Sequence, residues 1–158
     1  MGVEIERKFL VLTDKISYES AGELYEQGYL NSDKKRVVRV RLSAAGAYMT
    51  IKGLPKGLIR PEFEYEIPLE DARFLLDHIC EQPIIVKTRY KLQFDQHLWE
   101  VDVFHGENEG LVVAEVELES IDETFKKPAW VGEEVSNDWR YFNSNLLINP
   151  YRKWHQKK

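Results

Sequence analysis

At 158 residues, with 43% apolar and 12% aromatic residues, the chain has the material for one globular core and lies far from the polar composition of disordered segments. A formal net charge of -5 counts against non-specific nucleic-acid binding, although a cleft can gather cations against that average. The lone Cys80 has no disulfide partner, no Cys/His spacing suits zinc, the N-terminal segment meets charge at Glu4, and no apolar run approaches the ~18 residues of a membrane span. A cytoplasmic protein with no membrane and no nucleic-acid partner is therefore expected.

In chain order, segment after segment carries charge on one parity and apolar residues on the other, the signature of a strand with two unlike faces. Val3, Ile5 and Phe9 alternate with Glu4, Glu6 and Lys8. Residues 16–26 are a weak helical candidate, and Tyr29 in QGYL is read as a packing residue. Arg39 and Arg41 then oppose Val38, Val40 and Leu42, and Thr50 and Lys52 oppose Met49 and Ile51. Glu62, Glu64 and Glu66 oppose Phe63, Tyr65 and Ile67. Residues 70–80 read as a helix with an apolar stripe of Ala72, Leu75, Leu76 and Ile79, stopped by Pro83. Lys87, Arg89 and Lys91 follow, then Glu100 and Asp102, then Glu115, Glu117 and Glu119, each set opposite apolar residues. Residues 121–125 are a second weak helical candidate. Residues 128–150 read as an irregular wrap ending in a short helix, and 151–158 as a basic tail free to move. Turn residues at 31–35, 44–46, 53–57, 94–96 and 106–110 are short enough to join antiparallel neighbours.

An open sheet with its charged side in water is the commonest origin of such alternation. Here, however, the polar parity holds almost only Arg, Lys, Glu and Asp, where a solvent face usually mixes in Thr, Ser and Gln. The alternative is a closed antiparallel β-barrel of about eight strands, α+β in class, with the charged parity in the lumen and helices packed outside. A barrel of that size either fills with side chains or holds one small ligand. Enclosed charges cost several kcal/mol per ion unless paired or neutralised by a ligand and a metal.

EIERKFLV carries a Glu-x-Glu-x-Lys pattern. With VRVRL (38–42), TIK (50–52), GLIRPEFEYEIP (57–68), KTRY (87–90), WEVDVF (99–104), AEVEL (114–118) and WVGEEV (130–135), it resembles the CYTH domain, the triphosphate tunnel metalloenzymes, over nearly the whole chain. The resemblance implies a single domain spanning 1–158, built as a tunnel that hydrolyses triphosphates with magnesium or manganese, as one or two ions. It points to the short bacterial inorganic triphosphatases. It assigns Glu4, Glu6 and Glu117 to the metal, and Lys8, Arg39, Arg41, Lys52, Lys87 and Arg89 to phosphate, with Arg60 as a further candidate. Magnesium suits such a site because it takes one or two carboxylates and completes its shell with phosphate and water.

The remaining carboxylates of lumen parity need a reason to be there, since a bare carboxylate about 4 Å from a phosphate charge is opposed by roughly 1 to 4 kcal/mol. Glu64, Asp102 and Glu115 are expected to hold a second metal or to position the attacking water. Phe142, in WRYFN, stands where the family more often has lysine, and the four histidines form no cluster. A CYTH-type adenylate cyclase and a thiamine triphosphatase are the alternatives within the fold. The cyclases carry a His-Phe element ahead of the first motif, which the three residues before Glu4 do not supply. A non-catalytic polyphosphate-binding module is the alternative outside enzymes, and the apolar barrel exterior is compatible with a homodimer.

Overall fold

The structure is a computed structural model that describes residues 2–156, without the side chains of His155 and Gln156. The side chain of His155, one of the four histidines read as forming no cluster, and the last two residues of the tail lie outside the described residues. Among the described residues nine strands form: β1 (Val3–Val11), β2 (Glu23–Asn31), β3 (Arg36–Ser43), β4 (Gly46–Gly53), β5 (Ile59–Glu66), β6 (Glu81–Phe94), β7 (His97–Phe104), β8 (Val112–Glu117) and β9 (Val131–Glu134). They pair in the order β5-β4-β3-β2-β6-β7-β8-β1-β9, and β5 also pairs with β1. That last pairing closes a ring of eight antiparallel strands and leaves β9 outside it.

β1 makes the closure by dividing one of its edges. Val3–Ile5 pair with β5, while Phe9 and Val11 further along pair with β9; β8 takes the opposite edge through Glu6 to Leu10. With every ring strand paired on both sides, the alternation read from the sequence becomes an inside and an outside. The apolar parity is the outside. Phe9, Trp99, Val101, Ala114 and Val116 form one buried cluster, covered by Phe125, Trp130 and Val131. Val40 and Ala47 pack with Ala72, Leu76 and Cys80 in a second. The third is on the other face: Ile85, Phe104 and Val113 share the inward parity with Lys87, Asp102 and Glu115 and join Tyr29, Leu146 and Leu147 in filling one end of the ring.

Three elements differ from the sequence reading. Residues 16–26 give no helix, and their second part is the start of β2. Its inward residues are Tyr25, Gln27 and Tyr29, so the strand lacks the charged parity that marks the others. Residues 121–125 form a turn and irregular chain because Phe125 is drawn onto Phe9 and Trp99, with ring centroids 6.1 and 5.8 Å away. The helix at 70–80 is α1 (Leu69–Phe74), which widens into a π-helical turn at Leu75–Ile79.

After β9 the wrap contains α2 (Asn143–Ile148), and Tyr151–Gln156 form a 3-10 helix. Trp154 packs edge-on against Tyr141 at 5.1 Å and donates its indole N–H to the carbonyl of Asn149. Among the described residues no helix is long and apolar enough to cross a membrane.

Gly28 lets β2 approach the helical segment: a Cβ there would lie 2.8 Å from Leu76 Cδ2 and 2.9 Å from Cys80 Sγ. Gly28→Val is expected to lower stability by about 1–3 kcal/mol through overpacking. Urea unfolding measures it, and an unchanged midpoint would contradict this packing.

Candidate active site

A cavity of about 330 Å³ lies inside the ring. Glu4, Glu6, Lys8, Arg39, Arg41, Lys52, Arg60, Glu64, Lys87, Arg89, Glu115 and Glu117 all line it. Of the residues expected at the site, Asp102 alone is absent from the lining. It lies beneath the surface at 1% exposure and binds Lys87 and Arg89, each at 2.8 Å. The strand order explains why the rest converge: side chains two apart on a strand share a face, and closure points each such face at the same axis.

The ring places the two signs of charge on opposite walls. β7, β8, β1 and β5 are consecutive and carry Glu100, Glu115, Glu117, Glu4, Glu6, Glu62 and Glu64, while β4, β3, β2 and β6 carry Lys52, Arg39, Arg41, Lys87, Arg89 and Lys91. Lys8 and Arg60 are the cations of the acidic half. Ion pairs span or border the cavity: Lys52 with Glu4 at 3.2 Å and Glu62 at 3.6 Å, Lys8 with Glu115 at 3.3 Å, and Arg39 and Arg41 each with Glu64 at 3.7 Å. Arg89 reaches Glu100 at 3.2 Å and Glu115 at 3.6 Å in addition to Asp102.

These pairings leave donors and carboxylates unequally satisfied. Nε of Arg39 and Arg41 and Nη2 of Arg60 are buried without a hydrogen-bond partner, which in a native site calls for a ligand or water to complete them. Burial opposes ionisation of Glu115 and Asp102, yet Lys8 and Arg89 on the first, and Arg89 and Lys87 on the second, hold both below the usual carboxylate range. Burial pushes Lys87 down to about 8, against the pull of Asp102. Glu6, Glu62 and Glu117 go the other way. Burial raises all three, and neighbouring carboxylates add to it: Glu115 and Glu4 on Glu6, Glu4 on Glu62, and Glu4 and Glu62 on Glu117.

Those mutually opposed carboxylates bear on a metal. Among the described residues no three His, Cys, Asp or Glu side chains form a ready-made cage. Their donor set is nevertheless the one a hard divalent cation takes: carboxylate oxygens of Glu6 and Glu117, which sit directly across β1 and β8 and make no ion pair or hydrogen bond among the described residues, with Glu4 two residues along β1 on the same face. A cation that keeps waters and phosphate oxygens in its shell needs no more than this. Glu4, Glu6 and Glu117 therefore fit the group.

Sequence reasoning passed over several cavity residues because they carry no charge. Tyr25 lies 5.2 Å from the Arg41 guanidinium and 4.9 Å from that of Arg89, and Tyr48, outside the lining, covers Arg41 from 5.1 Å. Tyr29, read as packing, lines the cavity while 98% buried in the sense that 2% of its surface is exposed. Phe142, Asn143 and Ser144 enter from the C-terminal wrap, with the Phe142 ring 5.2 Å from Lys8 Nζ and 5.6 Å from the Arg60 guanidinium. The inward alternation of Tyr25, Gln27 and Tyr29 is the signal that could have placed the strand β2. In the wrap the WRYFN pattern marked Phe142, and no local pattern announces Asn143 or Ser144.

A closed antiparallel ring with a cationic wall facing an acidic one defines a tunnel for a polyanion. Residues 2–146 match the family described as the CYTH domain. The chain is 51% identical over 154 residues to an inorganic triphosphatase of Acetivibrio thermocellus, a match covering 98% of this chain and 99% of that protein. It is 38% identical over 154 residues to an inorganic triphosphatase of Nitrosomonas europaea, covering 92% and 97%. The crystal structure of an inorganic triphosphatase superposes with a TM-score of 0.64 at 36% identity, over 91% of this chain and 97% of that one. The chain belongs to the CYTH-domain family.

Asp102 sits between two cations, so Asp102→Asn is expected to cost about 3–5 kcal/mol by leaving buried charge uncompensated. A denaturation midpoint within error of the unaltered protein would contradict the pairing.

Because the Glu6 carboxyl is raised, the folded state binds more protons than the unfolded chain just above the ordinary carboxylate range. Metal-free stability should therefore fall as pH rises through that window, and Glu6→Gln should flatten the fall. Unfolding curves across pH measure both slopes.

Proposed function

We propose that this chain is a divalent-cation-dependent triphosphatase whose substrate is inorganic tripolyphosphate, cleaved to pyrophosphate and phosphate, with the whole chain acting as one domain in the cytoplasm. The observation that carries the reading is the opposition, within one cavity, of a wall of arginines and lysines to carboxylates that raise one another's pKa values. The names of the two relatives matched over nearly their full length support it.

Charge balance supports the need for a cation. The lining holds eight cations, Lys8, Arg39, Arg41, Lys52, Arg60, Lys87, Arg89 and Lys91, against seven carboxylates, so the lumen alone cannot neutralise a triphosphate. Glu4, Glu6 and Glu117 hold a divalent cation, magnesium by the preference for hard oxygen ligands. Bound there, it supplies charge neutralisation and polarises the phosphoryl oxygens. Arg39, Arg41 and Arg89 clamp phosphate oxygens through paired N–H groups, while Lys8, Lys52 and Lys87 act as point charges.

Glu64 and Glu115, expected to position water or a second metal, make ion pairs that align these cations: Glu64 with Arg39 and Arg41, Glu115 with Lys8 and Arg89. Asp102 does the same for Lys87 and Arg89 from below. Glu62, raised by burial and by Glu4, suits the transfer of a proton from the attacking water. In the reaction the water oxygen bonds to the terminal phosphorus in line with the departing bridge oxygen, whose bond to that phosphorus breaks, and pyrophosphate leaves. Phosphoryl transfer of this kind asks for position and charge rather than covalent chemistry.

The decisive assay is phosphate release from tripolyphosphate, ATP and thiamine triphosphate, with and without magnesium, with cyclic AMP measured in parallel. Metal-dependent release from tripolyphosphate in preference to the others is expected. Cyclic AMP formation, or equal turnover of all three, would overturn the substrate assignment. Arg41→Ala should lower kcat by about 10²- to 10³-fold, the cost of losing one preorganised donor, with a small change in thermal midpoint.

A further inference from the structure

The C-terminal wrap completes the lumen from one end, because Ser136, Phe142, Asn143 and Ser144 line the cavity although none belongs to a ring strand. Two of its oxygens meet lysines. Lys87 Nζ donates to Asn143 Oδ1 over 3.0 Å, and Gln27 Nε2 donates to the same oxygen over 3.4 Å. Lys8 Nζ donates to the backbone carbonyl of Tyr141 over 3.2 Å. An ammonium group has donors and no acceptor, so the atom of Asn143 that faces Lys87 must be its carbonyl oxygen.

Each lysine is thereby held by one carboxylate from the barrel and one neutral oxygen from the wrap. For Lys87 these are Asp102 Oδ2 at 2.8 Å and Asn143 Oδ1; for Lys8 they are Glu115 at 3.3 Å and the Tyr141 carbonyl. The nitrogen of Lys87 is tetrahedral, and its stem is fixed in a side chain only 2% exposed. With two of its three N–H groups committed, the direction of the third is determined. A lysine is otherwise a freely rotating point charge.

We propose that Asn143 is a positioning residue for phosphate binding: by accepting one proton of Lys87 opposite Asp102, it fixes the remaining N–H of Lys87 for a phosphate oxygen in the tunnel. The assignment rests on the triphosphate reading of the same cavity. It gives the wrap a share in the site that no motif on the strands reveals. Preorganising a donor in this way removes the ordering cost that a mobile lysine would bear at the moment of binding.

The test is a double-mutant cycle read as tripolyphosphate affinity by calorimetry in the presence of magnesium, with KM and kcat measured alongside. Asn143→Ala should weaken binding and raise KM by about tenfold to a hundredfold, the range for a hydrogen bond to a charged group. In a Lys87→Met background the same change should have less than about a twofold effect, since the group through which Asn143 acts is gone. Equal losses in both backgrounds would overturn the proposal, because they would make Asn143 act independently of Lys87. Should Lys87→Met fail to fold, Lys87→Gln keeps a donor for Asp102 and serves the same cycle with the same two outcomes. Failure of the unaltered protein to bind tripolyphosphate would sink the triphosphate reading along with this one; binding with an additive cycle would sink this one alone.

Discussion

Asp102, Lys87 and Arg89 form a buried ionic triad on which the tunnel's cationic side is built. A carboxylate and two cations enclosed together cost far less than any one of them alone, because each supplies the charge that water would otherwise supply. Burial works against the ionised form of all three, and the partners overcome it for Asp102 and Arg89 but not for Lys87. The barrel can hold this arrangement because Arg89 and Asp102 face each other in the β6–β7 register and Lys87 is two residues along on the same face.

The acidic wall follows the opposite logic. Glu6 and Glu117 are register partners on β1 and β8, with no cation paired to either, and Glu4 and Glu62 add to the repulsion. An arrangement that disfavours its own charge would gain stability from a cation placed against it. The two walls therefore differ in what they lack: the basic one has orphaned arginine donors, and the acidic one has surplus carboxylates. A metal-bound polyphosphate answers both needs in one molecule.

Packing outside the ring makes this interior tolerable. Trp99 has no exposed surface, and its ring centroid lies 5.6 to 5.8 Å from those of Phe9, Phe125 and Trp130. Removing such apolar surface from water is the favourable term that offsets chain entropy and the enclosure of charge. Two of the apolar clusters thus lie around the functional site and the third closes one end of the lumen together with the wrap, while the ring keeps the lumen residues in register.

The closed barrel and most of its lining were legible in the sequence because both depend on parity, a local property: Glu4, Glu6 and Lys8, or Arg39 and Arg41, must share a face once they lie on strands. β2 was not legible, since Tyr25, Gln27 and Tyr29 carry no charge to mark their side, and neither was the shape of 121–125, which Phe125 owes to aromatic partners distant in the chain. Parity also could not separate Asp102 from Glu115 or Glu64, because inward direction is local while depth depends on which cations stand opposite. Register, set by pairing between strands, decided that Asp102 supports Lys87 and Arg89 from behind. Closure of the ring by β1 and β5, and the return of the wrap to bring Asn143 against Lys87, are contacts between remote parts of the chain that only tertiary packing could fix.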